Sequence, residues 1–240
     1  STLTYSVTGD PTNWSTTGTS DSSSLTIPGA GRINSLFVAA DRLNISKNSG
    51  NMFRWDGFNL VQTPTNQGVS SPQSLAQTDD FWFYLNRNGF WAHNGDRPEL
   101  ISNPIEKQIY NDAAEGIIGT TFDNAQAVTH KFKYLASVGT VTDDLTDETV
   151  SDCIEVYDYQ ANEWGNYTYA NRPRAWLSYK DASGDQQLVF GAGSQCYTVA
   201  GTATTDNGST IESVMEGVLH FGAPESDKKF NYLWALFNPG

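Results

Sequence analysis

Cysteine is scarce in this sequence of 240 residues, since Cys153 and Cys196 are the only two. Two thiols are too few for a disulfide framework, and neither belongs to a CxxC pair of the kind that binds zinc. A disulfide between them is the minor alternative. We expect two independent, buried thiols and no metal site.

Positive charge and long apolar runs are also in short supply. The chain has 14 Lys and Arg residues against 27 Asp and Glu, so its net charge is −13. This balance counts against gripping a nucleic acid by its phosphates and against anchoring on an anionic membrane surface. The segment INSLFVAA (33–40) is among the longest apolar runs, well short of the ~18 residues of a membrane span. We therefore expect no membrane insertion and no sequence-specific nucleic-acid binding.

Known catalytic signatures are missing. There is no G-x-S-x-G elbow and no HExxH pair, and His93, His130 and His220 are far apart. The segments GAGRIN (29–34) and GAGSQC (191–196) do not complete GxGxxG and precede no helix pattern, so both are predicted turns. The Ser-x-Asp-x-Gly-x-x-Trp turn of sialidases is absent as well. The sequence predicts no catalytic residue, no cofactor and no enzyme activity, although a carboxylate pair for glycoside hydrolysis stays open.

Two groups of residues have both a functional and a structural interpretation. The loop 140–152 carries carboxylates that suit calcium, but it lacks the glycine and the spacing of an EF-hand, which favours a solvated loop. Tryptophans can line a glycan groove or fill a core, and their places within strand patterns favour the core. The carboxylates are Asp143, Asp144, Asp147, Glu148 and Asp152, and the tryptophans are Trp14, Trp55, Trp82, Trp91, Trp164, Trp176 and Trp234. We predict no metal ligand and no cofactor-binding residue.

Turn-forming residues recur about every ten positions, and the short segments between them alternate apolar and polar side chains or are continuously apolar. This pattern is typical of strands, so the predicted fold class is all-β. Two phrases, KNSGNMFRWDGFNLV (47–61) and NRNGFWAHNGDRPELI (86–101), repeat a turn, a glycine, aromatic residues and a second glycine. Turns that tolerate positive φ predict four hairpins, which pair 42–46 with 51–55, 81–85 with 90–93, 153–159 with 164–169, and 187–191 with 196–201.

The repeat has a period near 40 residues with four short strands per unit, which indicates a β-propeller. One sheet alone cannot bury both of its faces, whereas sheets packed radially around an axis can. Units are predicted at 1–57, 58–104, 105–172 and 173–210, so that residues 1–210 form propeller blades in a small or partial ring. Residues 211–240 are predicted to be a C-terminal β-strand extension. The step between the second and third units is longer because 103–125 holds an insertion, predicted as a short helix or an ordered loop.

Three segments resemble the propeller blades of virion proteins of tailed bacteriophages: YSVTGDPTNWS (5–15), RINSLFVAADRLNISKNSGNMFRWDG (32–57) and VYDYQANEWGNYT (156–168). The segment TTDNGSTIESVMEGVLHFGAPESDKKFNYLWALF (204–237) looks like the part that follows the final blades in those proteins. The group comprises nozzle, or tail tubular, proteins and packaged-DNA-stabilising tail accessory proteins of short-tailed phages. Its members are usually longer, so we expect residues 1–240 to be one piece of a longer polypeptide.

The resemblance implies a structural, non-enzymatic protein of the virion tail or neck, assembled in the bacterial cytoplasm. It also implies a homo-oligomeric ring, expected to be a hexamer, that contacts the portal or adaptor and a tail fibre or spike. DNA would pass through this ring, and an excess of carboxylates suits a channel that should not hold phosphates. A glycan-binding receptor protein is the alternative function, and a hydrolase on a propeller scaffold is a third.

Overall fold

The computed structural model describes residues 1–6, 12–14, 23–64, 67–95, 97–106, 109, 124–142, 149–199, 205–206 and 209–210. The regular structure of these residues is mostly antiparallel β-strand, in separate sheets that follow one another along the chain. The predicted all-β fold class is therefore confirmed. Within the described ranges, no helix has the length and apolar character needed to span a membrane.

The first three sheets come from residues 2–100. Sheet 1 pairs β1 (Thr2–Tyr5) with β2 (Ser23–Thr26). Sheet 2 has the order β3 (Ile33–Ala39), β4 (Arg42–Lys47), β5 (Met52–Trp55), β6 (Leu60–Gln62). A 3-10 helix (Pro72–Ser74) leads into sheet 3, which has the order β7 (Ala76–Gln77), β8 (Trp82–Asn86), β9 (Gly89–His93), β10 (Pro98–Leu100).

The remaining sheets follow a second 3-10 helix (Asn103–Ile105). Sheet 4 has the order β11 (Gln126–His130), β12 (Lys133–Thr142), β13 (Thr149–Asp158), β14 (Glu163–Thr168). Sheet 5 joins β15 (Ala175–Lys180), β16 (Gln186–Ala192) and β17 (Gln195–Val199), and sheet 6 pairs β18 (Thr205–Asp206) with β19 (Ser209–Thr210). The 3-10 helix begins the predicted insertion 103–125, and the described residues Glu106 and Ile109 that follow it are helical. Most of the insertion lies outside the described residues, so the choice between a short helix and an ordered loop stays a prediction there.

All four predicted hairpins are confirmed: β4 pairs with β5, β8 with β9, β13 with β14, and β16 with β17. Apolar and aromatic side chains lie opposite one another across these pairs. Tyr157 faces Trp164 with ring centroids 5.0 Å apart, and Phe190 faces Tyr197 at 5.1 Å. Such cross-strand ring pairs stabilise a hairpin beyond its backbone hydrogen bonds.

The third hairpin occupies a different position in its sheet from the first two. β4–β5 and β8–β9 are the middle pairs of sheets 2 and 3, whereas β13–β14 is the last pair of sheet 4. The step from the second hairpin to the third therefore contains an additional strand as well as the insertion 103–125. The excess length is therefore not due to the insertion alone, as equivalent hairpin positions would require.

The sheets also differ from the predicted unit boundaries at one clear point. Residue 57 was the expected end of the first unit, yet β6 continues the same sheet after it. The connection is a tight turn in which Asp56 Oδ1 accepts hydrogen bonds from the backbone N–H groups of Phe58 and Asn59. Residues 1–57 thus contain sheet 1 and most of sheet 2. The extension predicted at 211–240 lies outside the described residues.

Each sheet from 2 to 4 buries apolar side chains on both faces, because alternate residues of a strand point to opposite sides. Phe83 and Leu85 face sheet 4, while Tyr84 between them faces sheet 2. The same alternation in sheet 4 directs Tyr134 towards sheet 3 and Leu135 towards sheet 5. A further cluster joins sheet 1 to sheet 2. Sheets 1 to 5 therefore form a stack in chain order, with an apolar core between each neighbouring pair.

These inter-sheet cores contain every tryptophan that lies in a described strand. Those residues are Trp55, Trp82, Trp91, Trp164 and Trp176. The structural interpretation is confirmed for them. Trp14 differs, since 56% of its surface is exposed, and Trp234 lies outside the described residues.

The two repeated phrases hold equivalent positions in sheets 2 and 3. Their second glycines, Gly57 and Gly95, both have φ of 99°, a left-handed conformation that favours glycine. The residue two positions earlier contacts an aromatic ring of the preceding sheet in each case. Trp55 lies 5.0 Å from Tyr5, and His93 lies 5.6 Å from Phe37 between ring centroids. Both phrases therefore serve the packing of one sheet on the next.

No disulfide joins Cys153 and Cys196. Cys153 is buried between sheets 3 and 4, as expected. The expectation of a buried thiol is wrong for Cys196, which is exposed on β17. β17 is the last strand of sheet 5, so no further described strand covers it.

Candidate functional site

Most of the acidic loop lies outside the described residues. This applies to Asp143, Asp144, Asp147 and Glu148, whereas Asp152 lies in β13 with φ of 54°. In the described part of the chain, no three metal-binding side chains come together. Calcium binding at 140–152 is therefore not tested, and the solvated loop favoured by the sequence stays a prediction.

The glycine-rich segments behave differently from phosphate-binding loops. GAGSQC (191–196) forms the turn between β16 and β17, as predicted. GAGRIN (29–34) is an irregular connection that enters β3. The buried ammonium group of Lys47 donates hydrogen bonds to the carbonyl oxygens of Pro28 (2.8 Å) and Gly29 (2.5 Å), so it anchors this connection. The positive charge of Lys47 is therefore already engaged by two carbonyl oxygens, so it is not placed to bind a phosphate.

The two described histidines lie in different sheets and have different hydrogen-bond partners. His93 is fully buried beside Phe37 and accepts a hydrogen bond at Nδ1 from the backbone N–H of Gly95 (2.8 Å). His130 lies on β11, where its Nδ1 is 3.0 Å from the Ser178 hydroxyl of β15. His220 is outside the described residues. The histidines thus form no common cluster within the described ranges.

The pair formed by His130 and Ser178 was not predicted, because 48 residues separate its members. Burial lowers the pKa of His130, and the charge of neighbouring Lys131 lowers it further. A catalytic serine–histidine pair also needs a group that orients the histidine. Among the described residues, no carboxylate forms an ion pair with His130. The contact joins the first strands of sheets 4 and 5.

Several other polar bonds connect neighbouring sheets. Trp82 donates from Nε1 to the carbonyl of Val38 at 2.9 Å, and Trp164 donates to the carbonyl of Ile101 at 2.9 Å. The hydroxyl of Thr129 donates to the carbonyl of Gln77, which joins β11 to β7. Because these bonds start from side chains in fixed strand positions, they set the angle and offset between sheets.

A polar cavity of about 410 Å³ lies beside sheets 2 and 3, and we call it the arginine cleft. Its walls come from the start of β3, the β4–β5 turn, the segment around the first 3-10 helix, the β8–β9 turn and the segment just before β11. The lining residues are Arg32, Asn34, Asn48, Ser70, Pro72, Gln73, Arg87 and Asn124. Segments from three sheets thus converge on one cavity.

Local hydrogen bonds fix the floor of the arginine cleft. The backbone N–H of Arg32 donates to Asn48 Oδ1 at 3.0 Å, and the N–H of Asn48 donates to the Arg32 carbonyl at the same distance. Asn34 Nδ2 donates to the carbonyl of Val69 at 2.9 Å. A Cβ at Gly31 would stand 2.5 Å from Asn48 Oδ1, so the close approach requires glycine there.

A second cavity, of about 390 Å³, lies where sheets 3 and 4 meet at the surface, and we call it the aromatic cleft. Phe83 stacks against Phe81 at 5.9 Å and against Tyr159 at 5.5 Å. Burial raises the pKa of the Tyr159 hydroxyl, and the nearby carboxylates of Asp79, Asp158 and Asp80 raise it further. The other lining residues are Ala92, Glu99, Leu100, Ile101, Asn103, Pro104, Tyr157 and Asn162.

No protein-family model and no curated protein matches this chain. Among solved structures, the chain is similar to the computationally designed Ika4 protein, with 12% identity and a TM-score of 0.42 over 72% of this chain and 94% of that one. The designed Ika8 protein shows 14% identity and 0.37, over 67% and 42%. The extracellular domain of a one-component system from B. thetaiotaomicron shows 12% and 0.42, over 71% and 20%. The chain therefore spans less than half the length of two of these three structures.

Proposed function

We propose that sheets 2 to 5 are consecutive blades of a β-propeller. The observation that supports this proposal is the contact of first strands: β11 touches β7 of the preceding sheet and β15 of the following one. Sheets that radiate from a common axis bring their first strands together at that axis, while an apolar core fills each gap between sheets. The bonds from Thr129 to Gln77 and from His130 to Ser178 hold these innermost strands together.

We further propose that this propeller is a structural part of a tailed-phage virion, in the nozzle or head-to-tail connector. The resemblance of the blade sequences supports this role, as does the net charge of −13, which suits a ring through which DNA passes without adhering. The tryptophans of the described strands contribute to packing between sheets. A structural protein that binds neighbouring proteins through its sheet edges and loops needs a well-packed scaffold, and it needs no catalytic site.

Exposed apolar residues on the outer strand of sheet 2 suit contact with neighbouring tail proteins. Phe58 in the β5–β6 turn is 94% exposed, and Val61 on β6 is 60% exposed. The two residues are close in the sequence, and exposed apolar side chains that form a patch mark interaction surfaces. The insertions 103–125 and 140–152 are further docking candidates because they interrupt the repeat, although most of their residues lie outside those described.

The virion assignment is tested on purified particles. Mass spectrometry should detect this polypeptide at a fixed number of copies per particle, and cryo-electron microscopy should find it as a ring between the portal and the fibres. A replication enzyme encoded by the same phage serves as the control for contamination. Absence of the polypeptide from clean virions would contradict the proposal.

Glycan recognition is a second candidate, and the aromatic cleft is the observation that favours it. Phe81 is 37% exposed, and the cleft combines its ring with the polar side chains of Glu99, Asn103 and Asn162. Rings beside carboxylate and amide groups are what a sugar needs for stacking and for hydrogen bonding of its hydroxyls. A glycan array would support this candidate through hits that Phe81→Ala abolishes and Phe58→Ala preserves. An array without hits would contradict glycan recognition, and the structural role would be the one proposal that remains.

A further inference from the structure

The rings of the aromatic cleft have carboxylates as their neighbours in the sequence. Residues 79–81 read DDF and residues 157–159 read YDY, so each ring of these two segments follows or precedes an aspartate. Glu99 on β10 adds a carboxylate to the lining of the cleft itself. Acidic side chains therefore border these rings from three places: the β7–β8 turn, β10 and the end of β13.

The charges of these carboxylates act on both tyrosines of the cleft. Burial raises the pKa of the Tyr157 hydroxyl, and the charges of Glu99 and Asp158 raise it further. Burial and nearby aspartates raise the pKa of Tyr159 in the same way. A negative potential opposes the loss of a proton from a phenol, and the same potential attracts a cation.

Three of the carboxylates are accessible to a ligand. Glu99, Asp79 and Asp80 are exposed, and within the described ranges no basic side chain forms an ion pair with any of them. Asp158 differs, because it is paired with Lys133 at 2.7 Å. The described residues therefore neutralise the negative charge beside the cleft only in part.

Glu99 is the carboxylate best placed to contact a ligand inside the cleft. Lys131, in the β11–β12 turn, lines a neighbouring polar cavity together with Asp79. Neither Lys131 nor Lys133 lines the aromatic cleft, whereas Glu99 does. The described lysines therefore lie beside the other carboxylates and leave Glu99 to the cleft.

The rings of the cleft provide a flat surface in a fixed position. Phe81 is 37% exposed, and Tyr159 is half-buried. The buried ring of Phe83 stacks with both, at centroid distances of 5.9 and 5.5 Å and at angles of 27° and 26° between the ring planes. The face of such a ring attracts a cation that lies within about 6 Å of its centroid.

We propose that the aromatic cleft binds an arginine side chain of a neighbouring protein. The guanidinium group lies on the ring of Phe81 and donates hydrogen bonds to the carboxylate of Glu99. The side-chain carbonyl of Asn103, which also lines the cleft, is a further acceptor. This inference gives the chemistry of a docking partner, and it rests on the proposed role in binding neighbouring proteins.

The cleft suits an arginine better than it suits other ligands. A guanidinium group is planar, so it stacks on a ring while it pairs with a carboxylate through two parallel hydrogen bonds. The ammonium group of lysine is a compact and strongly hydrated charge. A neutral sugar would leave the charge of Glu99 without a counterion. The net charge of −13 also steers a basic protein surface towards this chain.

The test is an NMR titration of the isotope-labelled full chain with three blocked peptides. Their central residues are arginine, lysine and citrulline, and citrulline has nearly the shape of arginine without its charge. We expect the arginine peptide to bind about fivefold more tightly than the citrulline peptide and more tightly than the lysine peptide. The backbone signals of Phe81, Glu99 and Tyr159 should shift during the titration.

Variants then assign the binding to the cleft. Phe81→Leu keeps an apolar side chain and removes the ring, Glu99→Gln removes the charge, and each should weaken binding of the arginine peptide about fivefold. Phe58→Leu is the matched control for an exposed ring. Asp41→Asn is the control for charge, because Asp41 is exposed in the β3–β4 turn and asparagine tolerates its φ of 57°. If Phe81→Leu unfolds the chain, Glu99→Gln decides the matter, since Glu99 is exposed.

Several results would overturn the proposal. A citrulline or lysine peptide that binds as tightly as the arginine peptide would remove the role of the guanidinium group. An Asp41→Asn effect as large as that of Glu99→Gln would indicate a general attraction of cations to an acidic protein. Self-association of the chain that Glu99→Gln abolishes would identify a second copy as the occupant. If no peptide binds, the inference fails, while detection of the polypeptide in virions would still support the structural role.

Discussion

Gly57 and Gly95 are equivalent residues in the repeat, yet their surroundings differ. Both have φ of 99°, but no heavy atom lies within 4 Å of a Cβ built on Gly57. A Cβ on Gly95 would stand 2.5 Å from Cβ of Ala40 in the preceding sheet. The sequence predicts the shared conformation from turn chemistry. It does not predict the close approach, which depends on how sheet 3 packs against sheet 2.

Alanine substitutions at these two glycines distinguish the energetic cost of the left-handed conformation from the cost of close packing. Gly57→Ala should lower the free energy of unfolding by about 1–2 kcal/mol, the cost of a left-handed conformation for an alanine. Gly95→Ala carries the same cost and adds overpacking against Ala40, about 1–3 kcal/mol more. Urea denaturation measures both values. Equal losses in the two variants would contradict the close approach of sheets 2 and 3.

The ion pair between Lys133 and Asp158, with 2.7 Å between Nζ and Oδ2, makes stability depend on pH. The hydrogen bond from Lys133 lowers the pKa of Asp158, and the same bond raises the pKa of Lys133. The contribution of Asp158 is therefore present above the ordinary carboxylate pKa and is lost as pH falls through the lowered one. That of Lys133 is present below the ordinary lysine pKa and is lost as pH rises through the raised one.

Asp158→Asn should accordingly reduce the melting temperature at neutral pH and leave it almost unchanged in strong acid. The effect should be small, because solvent screens this partly exposed pair, and 1 M salt should reduce it further. Melting curves of both proteins from pH 2 to pH 11 measure the difference. A difference that persists undiminished at pH 2 would show that Asp158 acts through its turn rather than through its charge.

Hairpins are the elements that the sequence predicts well. Each was marked by a turn between aromatic or apolar segments, so local chemistry sufficed. The position of a hairpin within its sheet was not predictable in the same way. β12 and β13 are each 10 residues long, with register shifts around Gly139, and their connection offers no short turn signal. The repeat period alone therefore predicts β13–β14 as the counterpart of β8–β9, whereas the strand order makes it the last pair of its sheet.

The core between sheets 3 and 4 should dominate the stability of those two elements. Phe90 is completely buried there and contacts Tyr134 and Trp164. Phe90→Ala should reduce the free energy of unfolding by about 3–5 kcal/mol, because it removes a large buried ring and leaves a cavity. Phe58→Ala, at an exposed turn, should change it by less than about 0.5 kcal/mol. Similar small losses in both variants would mean that sheets 3 and 4 do not share this core.

In the whole molecule, the stacking of sheets could be predicted from the sequence, whereas the cavities that the stacking creates could not. Repetition with period-2 burial predicts sheets with two apolar faces, and the inter-sheet tryptophans follow from that. The arginine cleft has no such signal. Arg32, Ser70, Arg87 and Asn124 belong to separate turns with no common spacing, and only the packing of sheets brings them together.

The two thiols report on this packing in the intact chain. Cys196 is exposed and should react rapidly with a thiol reagent, whereas Cys153, buried between sheets 3 and 4, should react only after denaturation. We expect one reactive thiol per chain in buffer and two in guanidinium chloride. Cys196→Ser should abolish the rapid reaction. Two rapid thiols in the native chain would contradict the buried interface.

We have proposed that successive sheets pack radially around one axis through their first strands. An experimental density map of the chain, by cryo-electron microscopy of its oligomer or by crystallography, would test this arrangement. In a propeller, β7, β11 and β15 lie innermost, and Trp55 and His93 occupy matching gaps between blades. A flat stack with those strands on its rim, or the two phrases gathered around one bound small molecule, would contradict it.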